Sequence, residues 1–200
     1  MKVTIKKCLK SLSLALGLIA VGMLFKPTAA EAASTAAIDI HVSINATKAL
    51  TVNASHYNYG ALAVNTSSVT AVAIQVDNTS GALFQTYTIQ GANAPSATGG
   101  TTWNIVASTG TVDEYVLKAQ FSTAAPDVLD SNWANDTLTT SPIVCTSGTL
   151  GNTDGAQSGA AVTPNTAANA NRRYLWFRLT TPLFVSDTTQ RDVTVTVAVQ

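Results

Sequence analysis

A chain of 200 residues with 46% hydrophobic side chains can bury a core of its own, and its 11 basic and 11 acidic residues cancel. Charged residues make up only 11% of it and form no basic cluster outside the N-terminal segment, which excludes a nucleic-acid binder and a partner of anionic membrane surfaces. From residue 33 onward six basic residues stand against ten acidic ones, a net charge of −4.

The N-terminal segment accounts for the difference. Lys2, Lys6, Lys7 and Lys10 precede an uncharged apolar run from Leu12 to Phe25. Lys26-Pro27 ends that run, and Ala30-x-Ala32 supplies the small-residue pattern that a signal peptidase reads. Residues 1–32 are therefore expected to be a signal peptide and residues 33–200 one domain. The apolar run is shorter than the roughly 20 residues of a good membrane span, and no second run follows. The mature chain is expected to be secreted, periplasmic or at the cell surface, with no membrane span.

Alternation of period two dominates the rest. Ile38, Ile40, Val42 and Ile44 alternate with Asp39, His41 and Ser43. Leu50 and Val52 suggest a short second strand. Val72, Ile74 and Val76 form a third, closed by the turn residues Asp77-Asn78 and Ser80-Gly81. Tyr87 and Ile89 share one face of the next strand, with Phe84, Thr86 and Thr88 on the other. Trp103, Ile105 and Ala107 follow the break at Gly99-Gly100, and Tyr115, Leu117, Ala119 and Phe121 alternate cleanly. Leu175, Phe177 and Leu179 oppose Tyr174, Trp176 and Arg178. Val193, Val195, Val197 and Val199 close the chain. About eight strands without a helical period predict an all-β fold, a single antiparallel sandwich of Greek-key or immunoglobulin type. A closed barrel is the alternative. Two long connections, Ser122 to Cys145 and Thr146 to Asn171, interrupt the strands.

Catalytic chemistry has few bearers. Asp39, His41 and Ser43 lie on one strand face about 6.5 Å apart, which suits a solvated face better than a proton relay. His56 has no ligand-spaced partner, and no hydrolase, metalloprotease or nucleotide-binding motif is present. No catalytic residue and no enzymatic activity are expected. Cys145 is the lone cysteine after the leader, so no intrachain disulfide can form, and burial is its expected state.

Two binding sites suggest themselves. Asp127, Asp130, Asn132, Asn135 and Asp136 crowd one loop with the oxygen ligands that calcium prefers, though Asx turns produce the same pattern without an ion. No other cofactor is expected. Trp133 in that loop, with Tyr174, Trp176 and Arg178 on one strand face, could form an aromatic platform for a glycan or a protein partner.

The closing Asp192-Val193-Thr194-Val195-Thr196-Val197 is similar in texture to the spore-coat-U and archaic chaperone–usher pilin group, and Ala37 to Ile44 resembles a donor strand. The resemblance implies an exported β-sandwich subunit. The first expectation is thus a non-enzymatic structural or adhesive surface protein, a fibre or coat subunit. Its partner would be another copy or another surface protein, met through Ile38, Ile40, Val42 and Ile44 or through Val193, Val195, Val197 and Val199. A secreted carbohydrate-binding module and a secreted hydrolase on a β-scaffold are the alternatives.

Overall fold

The computed structural model describes residues 46–108, 111–129, 131–151, 157–164 and 169–200, all within one compact unit. The expected signal peptide and the first alternating strand, Ile38 to Ile44, lie outside the described residues.

The fold is organised around its longest strand, β8 (Arg172–Thr180). One side of β8 is shared by two short partners. β3 (Ile74–Asn78) pairs with its first half and β2 (Ser67–Val69) with its second. The other side is taken by β6 (Glu114–Phe121), in a register that sets Lys118 opposite Arg178 and Gln120 opposite Trp176. β1 (Leu50–Val52) extends the sheet beyond β3, and β5 (Asn104–Ile105) runs parallel to β6 at the far edge. A second sheet holds β4 (Tyr87–Gly91) between β7 (Ile143–Val144) and β9 (Val195–Val199), both antiparallel to it.

The all-β class is as the sequence predicts, and nearly all pairing is antiparallel. The arrangement departs from a single eight-stranded antiparallel sandwich. Nine strands form two unequal sheets among the described residues, and the six-stranded one is mixed because β5 is parallel. β2 and β7 carry too few apolar positions to show an alternation, so periodicity misses them. Both are held by neighbours rather than by their own pattern.

Alternation places the core. Tyr87 and Ile89 of β4, Ile74 and Val76 of β3, and Leu175 and Leu179 of β8 turn inward with Tyr115, Leu117, Ala119 and Phe121 of β6. β6 is unusual in that Val116 and Gln120, on its other face, are buried as well. The cause is a cover built by the long connection after Ser122. A single turn of 3-10 helix, η1 (Ser131–Asn135), leads into a segment that hydrogen-bonds along β6. Ala119 N–H donates to the Asp136 carbonyl (2.9 Å) and Leu138 N–H to the Leu117 carbonyl (2.8 Å). Further along, Phe121 N–H donates to Leu150 (3.1 Å). The β6 edge is thereby closed by loops, which removes a template for unwanted pairing.

Candidate functional site

The aromatic platform expected from the sequence is not open. Trp133 is only 1% exposed and donates its indole N–H to the Asp127 carbonyl (2.8 Å). Trp176 is 8% exposed and donates to the Ser122 carbonyl (3.0 Å). A stacking surface needs a ring face in water with its polar edge free, and here both rings are packed and both N–H groups spent. Alternation correctly put Trp176 on the face opposite Leu175. It could not show that the loop carrying Trp133 folds over that face. Tyr174 and Arg178, on the same side of β8, remain half-buried at its margins.

The acidic loop has a structural account. Asp127 Oδ1 accepts the Leu129 N–H (3.0 Å), an Asx turn. Asp136 is buried; its Oδ1 accepts the Leu150 N–H (2.7 Å) and its Oδ2 faces the Gln120 amide (3.3 Å). Asn135 is exposed. Asp130 and the Asn132 side chain lie outside what is described. Among the described residues no group of three carboxylate, histidine or cysteine side chains converges. The structure therefore brings Asp127 and Asp136 to main-chain amides rather than to each other. Of the histidines, His41 lies outside the described residues, and exposed His56 meets the neighbouring Ser55 hydroxyl (3.4 Å).

Cys145 is buried against Phe121 and Gly159. Burial, and then the Asp136 carboxylate, push its thiol up to about 12. It is uncharged at physiological pH and a poor nucleophile.

β9 is an edge strand among the described residues. Its partner β4 lies on one side, and among the described residues no strand pairs with the other. Val193, Val195, Val197 and Val199 face the core and pack against it, yet each stays half-buried, whereas Tyr87 and Ile89 on β4 are fully covered. Thr194, Thr196 and Ala198 are exposed. The Gln200 N–H points at β4, donating to the Thr86 carbonyl (2.9 Å), so the alternate N–H groups of Val195, Val197 and Val199 point to the open side. The site is thus a row of main-chain donors and acceptors beside a half-covered apolar stripe.

No family model matches the chain, no curated protein matches its sequence, and no solved structure matches its fold. Among the described residues no helix is long and apolar enough to cross a membrane.

Proposed function

We propose that the protein is an exported, non-enzymatic structural subunit that associates with further chains through the open edge of β9. The observation that carries this reading is the half-buried valine stripe from Val193 to Val199 beside a row of main-chain groups that no strand pairs among the described residues. A strand laid along that edge would complete the hydrogen-bonding row and cover the valines, and alternate side chains would set its register. Natural proteins protect such edges with charge, proline or a bulge, and β9 has none of these. Export rests on the Lys-rich, apolar and Ala30-x-Ala32 pattern of residues 1–32. The test is size-exclusion chromatography with electron microscopy of residues 33–200 over a range of concentrations. Ordered oligomers or fibres are expected, and a strict monomer at every concentration overturns the reading.

A further inference from the structure

Six basic residues follow residue 33, in a stretch with ten acidic ones. Arg172 pairs with Asp77 (2.9 Å) and Arg191 with Asp187 (2.8 Å). Lys118 and Arg178 do the opposite. The β6–β8 register sets them directly across from each other on one face, and neither has a carboxylate within ion-pair distance among the described residues. Like charges in this position repel, so the arrangement costs stability in a chain with acidic residues to spare. The acid that acts on Lys118 is Asp136, which Leu150 and Gln120 already engage.

Both cations are held in place. Lys118 Nζ donates to the Trp133 carbonyl (2.8 Å), and Arg178 Nη2 donates to Ser67 Oγ (3.3 Å). Arg178 Nε is buried without an acceptor among the described residues. Burial, and then Arg178, lower the affinity of Lys118 for its proton, and Asp136 only partly offsets them. Hydroxyls border the pair. Ser67 Oγ lies 2.8 Å from Thr180 Oγ1, and Thr137 bridges to Lys118 along the backbone. Both cationic residues are half-buried, so water still reaches them.

We propose that Lys118 and Arg178 form a binding site for the carboxylate of an acidic sugar, with the Ser67, Thr137 and Thr180 hydroxyls at its rim. An oxyanion between the two cations would cancel their repulsion and accept charge-assisted hydrogen bonds from both, while the neighbouring hydroxyls suit the sugar's own. The site is separate from the β9 edge and does not depend on association there.

The experiment is calorimetric titration of the residue 33–200 protein with monomeric galacturonate, with its trimer, and with the neutral galactose trimer. The acidic probes are expected to bind with an affinity that falls as salt rises, and the neutral trimer not to bind. A trimer that binds more tightly than the monomer identifies a polymer as the source of the carboxylate, and equal affinity identifies the free acid. Lys118→Gln and Arg178→Gln should each weaken binding roughly tenfold or more while a cooperative melt is retained. Should either unfold, Arg178→Lys keeps the charge, loses the planar fork and should still weaken binding. Absence of binding by both acidic probes, equal binding of the neutral trimer, or affinity unchanged in folded variants overturns the proposal.

Discussion

Gly159 lies directly against Cys145: a Cβ on Gly159 would stand 2.8 Å from the Cys145 Sγ and 2.7 Å from Phe121 Cε2. The Gly159 carbonyl also accepts the Tyr87 N–H (2.7 Å), which ties this backbone to β4 and prevents it from backing away. Gly159→Ala should therefore overpack the core and cost about 1–3 kcal/mol. Urea denaturation measures it, and an unchanged midpoint would show that the segment yields freely.

The same packing protects the thiol. Cys145 should resist iodoacetamide near neutral pH and react promptly once urea unfolds the chain, because the reactive thiolate is disfavoured and the sulfur is covered. Fast labelling of the folded protein, read by mass spectrometry, would contradict this burial.

Asn78 is fully buried and organises the β3–β4 connection. Its amide donates to the Leu83 and Val162 carbonyls (2.9 Å each), and its Oδ1 accepts from Ser80 N (3.0 Å) and Ser80 Oγ (2.7 Å). Asn78→Ala removes the amide from the Ser80 N–H and the Thr163 carbonyl, while the Leu83 and Val162 carbonyls keep the Ser80 hydroxyl and the Gln85 N–H. It should cost about 3 kcal/mol, since each orphaned buried group costs roughly 1–3 kcal/mol. A loss below about a third of that would mean water replaces the amide.

Asp187 gathers the segment before β9. The Thr189 hydroxyl, the Thr101 N–H, Arg191 and the Thr189 N–H together hold its carboxyl well below the ordinary range. A carboxylate whose folded value lies below its unfolded one adds stability that is fully present above the ordinary Asp value, about 3.9. That stability is lost as pH falls through the folded value. Melting temperatures recorded from neutral pH down to about pH 2 should fall, and Asp187→Asn should flatten the most acidic part of the fall. Superimposable profiles for the two proteins would remove Asp187 from the acid response.

Deletion of residues 33–45 separates two roles for the strand expected at Ile38 to Ile44. If that strand serves a neighbouring chain, the shortened protein should stay soluble, melt cooperatively and fail to assemble, and a peptide of residues 33–45 should bind it. Loss of the cooperative melt in circular dichroism would assign the strand to its own core and remove it from assembly.

Much of the strand content was legible in the sequence, because side-chain direction in a strand depends only on the residue's own position in a period of two. Tyr87 and Ile89, Leu175 and Leu179, and the Val193 to Val199 series face where their alternation puts them. Burial of Cys145 was legible too, from the ordinary preference of an unpaired thiol. What lies across from a strand, or on top of it, is non-local and leaves no periodic trace. Only the tertiary structure places η1 over β6, which buries Trp133, Trp176, Val116 and Gln120 and closes the aromatic platform. It alone turns Asp136 toward the Leu150 amide. It also decides that Lys118 meets Arg178, because a register is set by packing across the whole sheet, and a slip of one residue would send the two cations to opposite faces.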